Sequence, residues 1–162
     1  MKHSRPVDYS HLLPEAFQNT HRLEVGSRGE GGTAYQYDHV TATVHERAAP
    51  QHTRTSLRCE RCLGSIDAYL CGDGALAIND ADLADELRGK GIGRALYEAL
   101  IDYAAGLGAV RVRGANPSEY AERVHRKVAR GRGARFRTRR SKRDESVPDD
   151  VLYSYPIRPR KR

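Results

Sequence analysis

The 162-residue sequence lacks the features that would assign it to a membrane protein or a secreted protein. It contains no run of about 18 apolar residues, the length that a membrane-spanning helix requires. Its first 17 residues contain no apolar core of a secretion signal. Three cysteines, an odd number, argue against a disulfide-rich framework. We therefore expect a cytoplasmic protein with no membrane partner, and the length predicts a single domain with its own core.

Acidic residues are missing from one long stretch of the chain. Between Arg126 and Arg143 there are ten lysines and arginines and no acid, and residues 158–162 add four more basic residues. The net charge is +7, but the rest of the chain has only 14 basic residues against 21 acidic ones. Such a basic segment is either solvated or binds a polyanion, and we expect DNA or RNA to contact residues 126–143.

The spacing of apolar residues predicts a mixed α/β order of elements. Alternation predicts strands over residues 33–46, over 55–70 with a break at Gly64, and over 75–83. Helical spacing follows Gly91 and ends at Gly106 or Gly108. The predicted order then continues with a strand at 109–114, a helix at 117–130, a strand near Phe136 and a strand at 151–157.

The start of the chain is predicted to form a separate segment, residues 1–32, that is flexible in part. A short helix around residues 12–17 is interrupted by Pro14, and the glycine-rich stretch at 26–32 is expected to break the chain. We place the main domain at residues 33–157, with a basic insertion at about 130–147 and a basic tail at 158–162.

Three glycines at alternate positions, Gly89, Gly91 and Gly93, lie between basic residues just before an amphipathic helix. Glycine lowers helix stability, so the pattern is either an ordinary loop or a cradle for an anion. A helix N-terminus offers unpaired N–H groups and partial positive charge to a phosphate, and glycine lets the phosphate approach the backbone. No Gly-Lys-Ser/Thr follows, which excludes a Walker loop, and the spacing is not that of a dinucleotide fingerprint.

The stretch RGKGIGRAL, residues 88–96, resembles motif A of the GNAT (Gcn5-related N-acetyltransferase) superfamily, whose pattern is Arg/Gln-x-x-Gly-x-Gly/Ala. The resemblance continues through AVRVRGAN, through AERVHRKVA at residues 121–129 and through VLYSYPI, so it covers residues 75–157. It implies a GNAT-like α/β fold in a single domain, with a mixed, largely antiparallel sheet flanked by helices. It also implies acetyl-CoA as the co-substrate.

In that family the glycine loop binds the pyrophosphate of acetyl-CoA, and the preceding strand pairs with the pantetheine arm. The resemblance implies acyl transfer, expected to be acetyl transfer, to an amine by direct attack in a ternary complex. It implies a binding site for the co-substrate at Leu83, Arg88, Gly89, Lys90, Gly91, Ile92, Gly93, Arg94 and Asn116.

Direct transfer to an amine requires a base for the ammonium proton and an acid for the departing thiolate. Asp80 and Asp82 share one face of a predicted strand, so either of them is a candidate for the base; an exposed acid-rich loop is the alternative reading. His125 stands where the family has the tyrosine that commonly acts as the acid, although a solvated histidine would be equally ordinary. Tyr120 is the second candidate for this acid.

The chain departs from the family pattern in ways that affect the acceptor. Ala129-Arg130 replaces the family's Gly-Phe, and the N-terminal half is short for the two helices that normally shape the acceptor pocket. Because the basic segment lies on the acceptor-proximal side of the family's fold, we expect a nucleic acid, or a protein bound to one, as the acceptor. The alternative is a non-catalytic nucleic-acid-binding protein that retains the fold.

Cys59 and Cys62 form a C-x-x-C pair, with Cys71, His45 and His52 elsewhere in the same half of the chain. A zinc site requires about four ligands, and the usual second pair is missing. We therefore expect ordinary thiols and no metal.

Overall fold

The computed structural model describes residues 5–30, 37–47, 61–142 and 149–160. Predicted elements at 33–36 and 55–60 lie outside the described residues. The described strands are β1 Val7–Asp8, β2 His21–Glu30, β3 Tyr37–Glu46, β4 Cys62–Leu70, β5 Ala75–Leu83, β6 Arg111–Ala115, β7 Arg137–Ser141 and β8 Asp150–Pro156. The α-helices are α1 Glu15–Gln18, α2 Ile92–Gly106 and α3 Glu119–Gly131, and two single 3-10 turns occur at Ser10–Leu12 and Asp85–Leu87.

The eight strands form one open sheet in the order β1-β2-β3-β4-β5-β6-β8-β7. All neighbouring strands are antiparallel except β5 and β6, which are parallel. The parallel pairing extends only from Ala75 opposite Arg111 to Ala77 opposite Arg113. Beyond it β5 continues to Leu83 without pairing to β6, so the two strands diverge and open a cleft. The predicted mixed, largely antiparallel α/β fold is confirmed.

Helix α2 covers the centre of the sheet with an apolar face. Its buried residues include Ile92, Leu96 and Leu100, which recur at helical spacing and pack in one core with Val40 and Val44 of β3. Helix α3 buries Val124 and Val128, and its N-terminus is capped by Ser118, whose hydroxyl accepts a hydrogen bond from the Ala121 N–H at 3.1 Å. The sheet residues that alternate with the buried ones face the other side, which none of the described helices covers.

The glycine-rich stretch from Gly26 was expected to interrupt secondary structure, but residues 26–30 form the second half of β2. Strand β2 pairs with β3 over ten residues, from His21 opposite Glu46 to Glu30 opposite Tyr37. Backbone hydrogen bonds along a regular partner strand do not depend on side chains, so they override the low strand propensity of glycine. The segment at 1–32 therefore contributes two strands to the same sheet.

Strand β4 is also continuous through Gly64, where a break was expected. The register with β3 shifts between Val44 and His45, so the irregularity is a bulge beside Gly64. A Cβ on Gly64 would lie 2.7 Å from Cδ1 of Leu83. Glycine therefore allows β4 and β5 to approach closely here.

Candidate active site

A cavity of about 370 Å³ lies where β5 leaves β6. Strands β4 and β5 and the first turns of α2 and α3 supply its walls, which include Ile66, Leu83, Gly93, Tyr97 and Tyr120. The short parallel pairing of β5 with β6 is the reason that the sheet opens at this point. The cavity has mostly apolar walls with a few polar groups, as small-molecule sites commonly do.

The glycine loop forms the N-terminus of α2 at this cavity. Gly89 and Gly91 have φ angles of +73° and +84°, the left-handed region that glycine adopts without strain. Gly91 is the N-cap, and no side chain caps the helix. The first-turn N–H groups therefore have neither an intrahelical partner nor a side-chain cap, which suits them to bind an anion.

A second groove, of about 460 Å³, continues from the glycine loop along α3 and is basic. Arg88, Arg123 and Lys127 line it together with Gly89 and Tyr120. Arg88 is held in place because its Nε donates to the Leu83 carbonyl at 3.1 Å and its guanidinium pairs with Asp85 at 2.9 Å. This groove has three cations beside the uncapped helix, an arrangement that favours the binding of phosphate groups.

Sequence reasoning did not find Arg123 and Lys127 as residues of this groove. The sequence does show that the two residues lie one turn apart on a predicted helix. It does not show that their side chains face the glycine loop, because that depends on how α3 packs against α2. Two of the predicted basic residues lie elsewhere: Lys90 is exposed and does not line the groove, and Arg94 extends along α2 toward Glu98, with Nε 3.9 Å from its carboxylate.

Tyr120 touches the start of α2 directly. A Cβ built on Gly93 would lie 2.6 Å from the Tyr120 hydroxyl, so the phenol rests on the Gly93 backbone at the cavity wall. Tyr97 is the second phenol at the cavity, and burial, then the nearby Tyr120 and Asp80, raise its pKa above the ordinary tyrosine value. The structure therefore brings Tyr120 and Gly93 together at the cavity wall.

His125 lies in the core, away from the cavity lining, and this corrects the expectation that it faces the departing thiolate. Its side chain is fully buried, Nδ1 lies 2.8 Å from the Tyr155 hydroxyl, and Nε2 lies 3.0 Å from the Tyr153 hydroxyl. Burial lowers the pKa of His125 to about 3, so the imidazole is neutral at physiological pH. The ring also packs against Tyr97 with a centroid distance of 4.3 Å.

Asp80 and Asp82 lie on the half of β5 that has left β6. Asp80 is opposite Asp67, Asp82 is opposite Ser65, and a bulge at Asn79 precedes them. Both aspartates are exposed, and Asp82 lines the cavity. Because Ala81 and Leu83 alternate with them on the cavity side, the side chains of the two aspartates share the opposite, uncovered face of β5. That either of them serves as the base stays a prediction.

A third carboxylate, Asp67, was missed from the sequence. It accepts hydrogen bonds from Thr41 Oγ1 at 2.9 Å and lies 3.1 Å from His39 Nε2. Its proximity to Asp80 follows from the register of β4 with β5, which a sequence pattern does not provide.

Asn116 occupies the turn between β6 and α3 with a φ of +48°. Its Nδ2 donates to Asp150 at 2.8 Å, and its Oδ1 accepts from the Val151 N–H at 2.9 Å. The amide therefore fastens the start of β8 to the end of β6. Asn116 does not line the cavity.

The basic segment has three different environments. Arg132 is only 3% exposed and forms hydrogen-bonded ion pairs with Glu98 and Asp102 of α2; its Nη2 lies 2.7 Å from Asp102 Oδ1. In the tail, Arg160 also pairs with Asp102. Lys127 lines the basic groove, whereas the arginines of β7 are exposed. Part of the basic segment, Arg132, thus stabilises the packing of the end of α3 against α2.

Cys59 and His52 lie outside the described residues. Cys62 and Cys71 are free thiols at the two ends of β4. Within the described ranges, no three histidine, cysteine or acidic side chains are grouped so that they could hold a metal ion. The helices of this part of the chain are too short or too polar to cross a bilayer.

Comparison with known proteins agrees with this architecture. The sequence model of a family described as acetyltransferase (GNAT) family matches residues 17–129. The structure is similar to diaminobutyrate acetyltransferase from Paenibacillus lautus in complex with L-2,4-diaminobutyric acid and coenzyme A (15% identity, TM-score 0.54), covering 72% of this chain and 69% of that chain. It is also similar to a GNAT-family acetyltransferase from Staphylococcus aureus (13% identity, TM-score 0.50), covering 73% and 67% of the respective chains. Comparison with curated protein sequences gave no significant match.

Proposed function

The chain belongs to the acetyltransferase (GNAT) family, and on that premise we propose how its residues perform the reaction. It is an N-acetyltransferase that uses acetyl-CoA as co-substrate. The reaction breaks the thioester C–S bond and forms an amide C–N bond. One proton must leave the acceptor ammonium and one must reach the departing sulfur.

The residues of the cleft fit the phosphates of acetyl-CoA. The uncapped N-terminus of α2 offers N–H groups at Gly91, Ile92 and Gly93, and Arg88, Arg123 and Lys127 offer positive charge beside it. The loop backbone supports this assignment, since Gly89 and Gly91 adopt left-handed φ angles that favour glycine, and the space beside Gly89 is open to a ligand. The observation that carries the proposal is this combination of a diverging β5–β6 pair, a cavity and an uncapped glycine helix start.

Tyr120 is our candidate for the group that donates a proton to the departing sulfur, because its hydroxyl lies at the cavity wall. Asp80 or Asp82 is our candidate for the group that accepts the ammonium proton, because both lie on β5 at the cleft and are exposed to the uncovered face of the sheet. His125 does not suit the acid role, since a neutral, fully buried imidazole with both nitrogens bonded to tyrosines has no proton to exchange with the cleft.

We propose that the acceptor amine is carried by a nucleic acid. The face of the sheet opposite α2 is covered by none of the described helices, so a large acceptor has access to the cleft. Positive charge remains on that side of the molecule after the internal pairs are formed, because the arginines of β7 are exposed. The alternative acceptor is a protein bound to nucleic acid, and the alternative function is nucleic-acid binding without catalysis. Both are outcomes of the tests below.

The first test measures the thermal stability of the protein with and without acetyl-CoA. A ligand that binds only the folded state at 100 times its Kd adds about 2.7 kcal/mol to the free energy of unfolding, so Tm rises. We expect Gly91→Glu/Gly93→Glu to abolish the rise. Gly106→Glu/Gly108→Glu is the matched control, because a Cβ at either glycine meets no atom within 4 Å and Gly108, like Gly91, has a positive φ, here +100°.

Arg123→Gln/Lys127→Gln gives the same information without crowding the helix start, and we expect it to reduce the rise in Tm. Release of free thiol from acetyl-CoA in the presence of amine-bearing oligonucleotides then measures turnover. Absence of any Tm rise with wild type at saturating acetyl-CoA would contradict the proposed site. Oligonucleotide binding without thiol release would favour the non-catalytic alternative.

A further inference from the structure

Four arginines lie together on the uncovered face of the sheet, at the end that contains β6, β8 and β7. Arg113 is opposite Ser154, which is in turn opposite Arg137, and Arg139 is opposite Leu152 on the same strand. Residues opposite each other in a sheet share a face, and so do alternate residues of one strand, which adds Arg111. Their neighbours in β8, Tyr153 and Tyr155, face His125 of α3 on the other side.

These arginines enclose a groove of about 610 Å³, whose walls also include Gly114 and Ser154. A single carboxylate, Asp73, pairs with both Arg111 and Arg113 and lies 3.3 Å from the latter. Arg137 and Arg139 form no ion pair with an acid among the described residues. The groove thus has four positive charges against one negative charge, and β8 contributes the Ser154 hydroxyl between the arginines of β6 and β7.

Resting on the proposed nucleic-acid acceptor, we propose that this groove binds the phosphate backbone of a single strand and so holds the acceptor beside the cleft. Arginines recur at about 7 Å along β6 and β7, and about 10 Å separates these two strands, so the charges suit a chain of phosphates rather than one small anion. Arginine forks bind phosphate oxygens in pairs. The groove also borders the cleft, because Arg113 forms the last pair of β6 with β5 and the two strands diverge beyond it.

The groove is separate from the groove that fits the co-substrate. Arg88, Arg123 and Lys127 lie at the starts of α2 and α3, on the helical side of the sheet, whereas Arg137 and Arg139 lie on the uncovered side. Of the residues 126–143 for which nucleic-acid contact was predicted, the proposal retains only those of β7. It adds Arg111 and Arg113 of β6, which lie outside that segment.

The test compares two neighbouring residues of β7 that have the same charge and opposite faces. Arg139 faces the groove, while Arg140 alternates to the other side, and both are exposed. Binding of a fluorescently labelled, mixed-sequence single-stranded oligonucleotide to the full chain is measured over a range of salt concentrations. We expect Arg139→Gln to weaken binding several-fold and to reduce the slope of log K against log salt by about 0.7, the value for one lost contact to a single strand. We expect Arg140→Gln to change neither quantity.

Equal losses in the two variants would overturn the proposal, because they would show a diffuse attraction and no groove. Competition by poly-glutamate as strong as that by unlabelled oligonucleotide would also overturn it, and so would competition by inorganic pyrophosphate at equal phosphate concentration. The rise in Tm with acetyl-CoA reports separately on the co-substrate site, and Arg139→Gln should leave that rise unchanged. Wild-type protein that shows the normal rise in Tm with acetyl-CoA but does not bind the oligonucleotide therefore rejects the groove alone, whereas wild-type protein without that rise rejects the proposed enzyme site.

Discussion

At the scale of single residues, the contact between Gly93 and Tyr120 makes a strong prediction. Replacing glycine by alanine in a helix normally stabilises it by up to about 1 kcal/mol. Here the added Cβ would lie 2.6 Å from the Tyr120 hydroxyl and 3.4 Å from the nearest ring carbons. We therefore expect Gly93→Ala to destabilise the wild-type protein and to be neutral or stabilising in a Tyr120→Phe background. Urea unfolding of the two single variants and the double variant measures this coupling.

Additive effects of the two substitutions would contradict the contact. Gly106→Ala is the control, because a Cβ there meets no atom within 4 Å and the residue lies at the other end of α2. We expect its effect to be the same in both backgrounds.

His125 makes the stability of the protein depend on pH in a defined direction. Its pKa is about 3 in the folded protein and about 6.5 when unfolded, so below pH 6.5 the unfolded chain binds a proton that the folded chain does not. The contribution of the neutral His125 to the free energy of unfolding is fully present above pH 6.5. It decreases by up to about 1.4 kcal/mol per pH unit as the pH falls toward 3. We expect the stability advantage of wild type over His125→Gln to shrink by about 2 kcal/mol between pH 7 and pH 5.

The exposed His11 is the control for this measurement. We expect the stability difference between wild type and His11→Gln to change little over the same pH range. A constant difference between wild type and His125→Gln would mean that the buried imidazole takes up a proton in the folded state, which contradicts its environment.

These residues also show where sequence reasoning succeeds and where it stops. The position of the glycine loop at a helix start could be predicted because it depends on consecutive residues, and the structure places Gly91 at that N-cap. The environment of His125 could not be predicted, because the hydroxyls that bind it belong to Tyr153 and Tyr155, about 30 residues later in the chain. The proximity of Asp67 to Asp80 likewise depends on strand register.

At the scale of elements, α2 was predictable and β2 was not. The spacing of Ile92, Leu96 and Leu100 identifies a helix on its own, since an apolar face at this period is a local signal. The second half of β2 contains Gly26 and Gly29 and is a strand only because β3 pairs with it residue by residue. Pairing with a partner strand thus determines the conformation of residues 26–30, where the local strand propensity is weak.

The ion pairs of Arg132 join α2 to the end of α3 and make an element-scale prediction. Glu98 is 5% exposed and Arg132 is 3% exposed, so removing the arginine leaves a buried carboxylate without its main partner. We expect Arg132→Met to lower the free energy of unfolding by about 3 kcal/mol, the lower end of such losses, because Arg94 and Arg160 also lie 3.9 Å from Glu98. Chemical denaturation measures the loss.

The exposed Arg135 provides the comparison, and we expect Arg135→Met to change stability by no more than about 0.5 kcal/mol. Adding Glu98→Gln to Arg132→Met should restore part of the loss, because it removes the uncompensated charge. A double variant less stable than Arg132→Met would show that the carboxylate is stabilised by groups other than Arg132.

At the scale of the whole molecule, the two grooves lie on opposite sides of the sheet, and the cleft between β5 and β6 opens beyond Arg113, at the border of the arginine groove. The co-substrate and the acceptor that we propose for these grooves can therefore be bound at the same time, which direct transfer requires. The free thiols described, Cys62 and Cys71, do not line the cavity, so neither is placed to carry the acetyl group as an intermediate.

We therefore expect double-reciprocal plots of initial rate against acetyl-CoA, measured at several fixed concentrations of the acceptor, to give intersecting lines and not parallel ones. Coenzyme A should compete with acetyl-CoA, because both would bind the same basic groove, and should not compete with the acceptor. Cys62→Ser/Cys71→Ser should retain turnover, and mass spectrometry of protein mixed with acetyl-CoA alone should detect no acetyl-enzyme at the stoichiometry of active sites. Parallel plots together with a stoichiometric acetyl-enzyme would instead require a covalent relay, and the separation of the two grooves would then have to be explained by sequential rather than simultaneous binding.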